Sequence, residues 1–159
     1  MNGFDTAYLK SPIGTIEVKS SDKGIVSLYF IDNAEINYTL SVANGAISQL
    51  EQYFNGERES FKLELDLQGT EFQKSVWLEL LKIPFGETDT YLNIAKKLGN
   101  AKKLRAVGNA NGKNPISIIV PCHRVIGANG KLVGYGGGLW RKKWLLEHEQ
   151  KYKQLSLFE

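Results

Sequence analysis

The one thiol of this 159-residue chain stands in the string Ile118-Ile119-Val120-Pro121-Cys122-His123-Arg124-Val125-Ile126. A thiol becomes a nucleophile when it loses its proton, and a nearby imidazole is a base suited to taking it. The bland alternative is a small core residue, the usual fate of a lone cysteine in apolar company. Local features favour the chemistry. Pro121 cannot donate to a sheet ladder, so the run Ile118–Val120, expected as a strand, ends just before Cys122. Asn114-Pro115 opens the segment, and an asparagine amide there can pin a turn through backbone hydrogen bonds. In a regular strand His123 would face away from Cys122, so cooperation between them needs a turn or a bridging water. One cysteine excludes an internal disulfide and a multi-cysteine zinc site, and His123 and His148 are too few for a histidine-rich one. No metal and no cofactor is expected.

The elements that must position these residues differ along the chain. At 42% hydrophobic and 11% aromatic residues there is material for a real core, in one ordinary domain or two small ones. The net charge of +3 hides a division: residues 1–69 carry 5 Lys/Arg against 10 Asp/Glu, and residues 70–159 carry 15 against 7. A basic half joined to an acidic half points the basic part at a polyanion, or is simply a solvated lysine surface. The N-terminus lacks a signal-like pattern and no window is apolar enough to span a membrane, so the cytoplasm is the expected compartment.

Three alternating runs, "FDTAYLKS", "GTIEVKSS" and "GIVSLYFID", read as an antiparallel meander. A helix over residues 46–54 should end at Asn55-Gly56, and "SFKLELDL" alternates as a fourth strand. Thr70 caps a helix carrying Phe72, Val76, Trp77, Leu80 and Leu81. "TYLNIAKKLG" and "AKKLRAVGNAN" then read as helix, glycine turn, helix, which is a helix-turn-helix. The second of these presents Arg105 beside Ala106, Gly108 and Ala110. That small, flat face suits either shallow minor-groove contact or close helix packing. The last helix, "LWRKKWLLEHEQKYK", should turn Leu139, Trp144, Leu145 and His148 inward.

Taken together, "GTEFQKSVW" (69–77), "IPFGET" (83–88), "RAVGNANGKNP" (105–115), "IIVPCHRVIG" (118–127), "GYGGG" (134–138) and "LLEHE" (145–149) resemble the O6-alkylguanine-DNA alkyltransferase family in order and spacing. The resemblance implies an α+β fold. A small antiparallel-sheet domain, ribonuclease H-like, would occupy residues 1–68, and a mainly helical DNA-binding and active-site domain 69–155, with a tail at 156–159. It implies a monomer that binds alkylated duplex DNA through the minor groove and flips the damaged base out. The alkyl group of O6-alkylguanine, and by extension O4-alkylthymine, would pass irreversibly to the protein in a single turnover.

Residue by residue, the resemblance makes Cys122 the alkyl acceptor, His123 its base through a water, and Glu149 the carboxylate that orients His123. Asn114 becomes the hinge of the turn. Tyr91 helps rotate the nucleotide and donates a proton to the departing base. Arg105 fills the gap left in the duplex, with Ala106, Gly108 and Ala110 along the DNA. Val125, Tyr135, Gly136 and Trp140 are the implied pocket walls. Arg124 reads only as an ion-pairing or turn-bracing residue. Two other readings compete: a non-catalytic sensor of alkylated DNA, whose relatives lack the cysteine, and a cysteine hydrolase, which leaves the basic half unexplained.

Overall fold

Alternation of apolar and polar residues lays down the first strands, and in the computed structural model, which describes residues 5–32 and 42–156, they form one sheet. Strands β1 (Asp5–Ser11), β2 (Gly14–Ser21) and β3 (Gly24–Ile31) run antiparallel in the order β1-β2-β3. One face buries Ala7, Ile16, Val18 and Leu28 against Ala46, Leu50 and Tyr53 of helix α1 (Val42–Phe54). That helix begins four residues earlier than the sequence pattern indicates. It ends as expected: Gly56 takes φ 80°, its N–H bonds the Tyr53 carbonyl at 3.1 Å, and Glu57 N–H bonds Gln52 at 2.8 Å.

The fourth strand is a correction. Residues 60–65 alternate in burial, but among the described residues only Leu65 makes a bridge, parallel to Ile25. The flanking bonds are Ile25 N–H to Glu64 (2.9 Å) and Asp66 N–H to Ile25 (2.8 Å). Elsewhere a side chain takes the ladder's place, since Gln49 accepts from Lys62 N–H at 2.9 Å and donates to its carbonyl at 3.1 Å. Gly24 permits the approach, because a Cβ there would lie 2.5 Å from the Glu64 carbonyl oxygen.

Residues Met1–Gln68 and Gly69–Glu159 form two compact units, the second mainly helical. Helix α2 (Glu71–Leu80) opens with a full capping box: Thr70 accepts from Gln73 N–H, and the Gln73 side chain accepts from Thr70 N–H. It buries Val76, Trp77 and Leu80, and the Trp77 indole donates to the Ala110 carbonyl at 2.8 Å. Strand β4 (Asp89–Thr90) leads into α3 (Tyr91–Lys97), capped by Thr90. A turn through Gly99 (φ 92°) and a 3-10 turn (Ala101–Lys103) then deliver α4 (Leu104–Gly112). Strand β5 (Val125–Ile126) pairs parallel with β4, tying the base of α3 to the segment after Cys122.

Helix α5 (Leu139–Ser156) closes the unit. Its inward face is the expected one in part: Leu145 and His148 are buried, Trp144 is half-buried and Leu139 is exposed, while Lys142 and Glu149 are buried with them. No helix among the described residues is long and apolar enough to cross a membrane.

Candidate active site

The run Ile118–Val120 is not a strand. Its neighbourhood is folded by side chains and tight turns, which override the β-propensity of Ile and Val. Asn114 does most of this. Its Oδ1 accepts from Ile116 N–H at 3.0 Å, and its Nδ2 donates to the Val120 carbonyl at 2.8 Å. Ile118 sits at φ 71°, with Ile119 N–H bonded across it to the Ser117 carbonyl at 2.8 Å. A γ-turn of this hand is rare, and a β-branched residue there is strained; burial on all sides holds it in place. A second γ-turn follows around Pro121 (φ −82°, ψ 65°), closed by Cys122 N–H to Val120 at 2.8 Å. Cys122–Arg124 then form one 3-10 turn, all three buried.

That turn aims His123 and Arg124 at one carboxylate. His123 Nε2 lies 2.6 Å from Glu149 Oε2, with both side chains essentially inaccessible to solvent. Arg124 grips the same group with two bonds, Nε to Oε1 at 2.8 Å and Nη2 to Oε2 at 3.0 Å, and its Nη1 donates to the Ile83 carbonyl at 2.7 Å. Gly86 N–H adds a bond to Oε1 at 3.1 Å. The turn after α2 therefore braces the pair. Burial alone would raise the Glu149 pKa, but hydrogen bonds from His123 and Arg124, the Arg124 charge and, once the ring is protonated in acid, the His123 charge hold it far below the ordinary carboxylate range.

Because Glu149 is ionised and can only accept, His123 carries its proton on Nε2. Its Nδ1 is then a lone-pair nitrogen, buried and without a hydrogen-bond partner among the described residues. Burial lowers the His123 pKa despite Glu149, so the ring is neutral at neutral pH. Burial likewise raises the Cys122 thiol; contacts with Asn114 and Ser117 and the positive charge of Lys142 oppose it.

Lys142 is buried on α5, and its ammonium donates to the carbonyls of Val133 (3.0 Å) and Gly134 (3.2 Å). Burial depresses its pKa to about 8 while the Cys122 charge works the other way. The Tyr91 hydroxyl donates to the same Val133 carbonyl at 3.0 Å, and burial raises its pKa. The Tyr135 hydroxyl is buried too, its pKa pushed well above the ordinary phenol value by burial first and by Cys122 second. Bordering this cluster, a cavity of about 620 Å³ opens between α3, α4 and the 127–134 loop, lined by Tyr91, Arg105, Gly108, Val133 and Gly134 among others. Among the described residues no group of three His, Cys, Asp or Glu side chains converges to hold a metal ion.

Of the residues singled out from sequence, Cys122, His123, Glu149 and Asn114 lie in one buried network, with Tyr91 and Tyr135 at its edge. Arg105 and Ala106 are exposed on α4 and Gly108 is half-buried. Ala110 is a correction: it is buried at the end of the helix, where its carbonyl takes the Trp77 indole, so it serves helix packing. Val125 is buried in β5, and neither it nor Trp140 lines the cavity. Trp140 is 57% exposed under the Arg141 guanidinium, 4.5 Å from its ring centroid, and Gly136 is exposed. Lys142, Ser117 and Asn111 went unnoticed. For Lys142 a signal existed, since it shares a helical face with Leu145 and Glu149, where a core residue belongs.

Comparison with known proteins covers nearly the whole chain. Residues 71–151 match the family described as 6-O-methylguanine DNA methyltransferase, DNA binding domain, and residues 6–67 match its ribonuclease-like domain. The methylated-DNA–protein-cysteine methyltransferase of Mycolicibacterium paratuberculosis is 49% identical over 153 residues, 92% of this chain and 93% of that one. The crystal structure of Mycobacterium tuberculosis O6-methylguanine methyltransferase superposes with a TM-score of 0.85 at 45% identity, covering 99% of this chain and 100% of that one. A second M. tuberculosis structure, OGT in complex with DNA, gives 0.83 at 46% identity over 92% of this chain and 93% of that one.

Proposed function

The chain belongs to the 6-O-methylguanine DNA methyltransferase family, a family of DNA-repair transferases, and from that premise we propose that Cys122 itself takes the alkyl group from O6 of a guanine in duplex DNA. The observation that carries this reading is the state of His123. Its Nε2–H is committed to Glu149, and its free Nδ1 is a buried acceptor one residue from the thiol. The thiol proton passes to that nitrogen, directly or through a water, and the thiolate attacks the alkyl carbon. The S–C bond forms as the C–O6 bond breaks, and its electron pair leaves with the guanine. A proton from the Tyr91 hydroxyl neutralises the departing base, and His123 supplies the replacement. The product thioether is a poor leaving group, so the protein acts once.

Glu149 keeps the imidazole in its working tautomer, and Arg124 keeps Glu149 ionised and fixed. Asn114 holds the turn that presents the sulfur. The basic charge of residues 70–159 favours the phosphate backbone, and the cavity beside Arg105 and Gly108 suits a minor-groove approach with the lesion flipped inward. Arg105 then stands in the space the base vacates. We place O4-alkylthymine as a second substrate, the acting species as a monomer, and the compartment as the cytoplasm. The test is intact mass and peptide mapping after incubation with a duplex holding one O6-methylguanine. A gain of one methylene on Cys122 is expected; no gain with equimolar lesion would end the proposal.

A further inference from the structure

Helix α4 begins with Leu104, a residue that the mechanism above leaves unused. Its side chain is 45% exposed and lines the cavity beside Arg105, together with Leu92 of α3, which is 41% exposed. A surface leucine is ordinary on its own. These two share a cavity that the surrounding charge marks for a polyanion. Lys96, Lys102, Lys103 and Lys113 are exposed and form no ion pair among the described residues. Leu104 also heads a helical stripe that continues through Gly108 to Asn111. Gly108 lines the same cavity, and the Asn111 amide donates to the Cys122 carbonyl at 3.5 Å. The stripe joins the outer rim of the cavity to the turn that carries the thiol.

We propose that Leu104 rests on the floor of the minor groove against the base pair next to the lesion, and that it makes lesions with A·T neighbours the faster substrates. The inference rests on the alkyl-transfer and minor-groove readings and adds a dependence on sequence context to them. Arg105 stands in the space of the flipped base, so Leu104, its neighbour in the chain, meets the adjoining pair and not the lesion. Ala106 and Gly108 carry little or no side chain and let the helix lie deep. Every base pair shows acceptors on the floor of the minor groove, but only a G·C pair adds the guanine N2 amine, which projects from it. Leucine cannot accept from that amine, yet its approach strips the amine of water. A G·C neighbour therefore holds α4 away from the floor and keeps Arg105 from entering the stack.

The experiment measures single-turnover transfer from four duplexes that set O6-methylguanine between A·T, hypoxanthine·C, G·C or 2-aminoadenine·T pairs. The hypoxanthine pair is G·C without the amine, and the 2-aminoadenine pair is A·T with it. Wild-type protein is expected to be about tenfold faster on the two duplexes whose neighbours lack the amine. Those neighbours also pair more weakly, so a variant separates the two causes. Leu104→Ala changes an exposed helix position where alanine is favourable, and it should bring the four rates to within about twofold of one another. A preference that this variant retains, the result if pairing strength alone sets the rate, would overturn the proposal. Equal rates for wild-type protein would also overturn it, while leaving alkyl transfer standing. Failure of wild-type protein to transfer from any of the four would instead strike the alkyl-transfer reading on which this one stands.

Discussion

The two units bury different things. In the sheet unit the buried polar side chains are Ser20 and Ser27, and the rest of its described core is apolar. The helical unit buries Arg124, Lys142 and Glu149 as well as two histidines. In the first, backbone groups meet one another across an ordered register from β1 to β3, and Gln49 replaces the ladder at Lys62 alone. In the second, side chains stand in for that ladder, as Asn114 does at Ile116 and Val120. An apolar core is held by area removed from water and tolerates exchange at similar volume. A buried polar network is held by completeness, so losing one member strands the others.

Glu149→Gln tests that contrast hardest. It removes the charge shared by His123 and Arg124, and at neutral pH it is expected to cost roughly 3–5 kcal/mol of stability, with transfer slowed about a hundredfold or more. The pH dependence has a definite sign. Because the folded-state pKa of Glu149 is depressed, its stabilisation is present above the ordinary carboxylate value near pH 4 and is lost as pH falls through the lower folded value. Denaturant titrations of wild type and variant should therefore converge in acid; a constant gap would mean the charge is not what stabilises.

Leu28→Ala is the counterpart in the sheet, where the side chain is fully buried. About 2–5 kcal/mol of stability should be lost, while the transfer rate per folded molecule stays at the wild-type value. A large fall in that rate would erase the distinction between the regions. Thr70→Ala, which removes half of the capping box, should cost about 1 kcal/mol in thermal unfolding and leave transfer untouched.

The same contrast decides what the sequence disclosed. The three strands and the cap of α2 are legible because their signals are local: alternation at period two, and Thr70 three residues before Gln73. Residues 60–67 alternate just as well, yet among the described residues only Ile25 bridges them, and alternation carries no information about a partner. Ile118–Val120 looks like a strand for the same local reason, while its conformation is set by Asn114 and two γ-turns. Cys122, His123 and Glu149 were recognisable through motif and resemblance. Lys142, Ser117 and Asn111 acquire meaning only from groups distant in sequence, and the task of Arg124 is visible only once Glu149 and Ile83 meet it.

The most direct measurement is a stoichiometry. Protein is mixed with a growing excess of duplex carrying O6-methylguanine, and the repaired guanine and the S-methylcysteine at position 122 are both counted. Repair is expected to stop at one lesion per protein, with one methyl on every Cys122. Repair that continues past one equivalent, or that proceeds while Cys122 stays unmodified, would contradict the account.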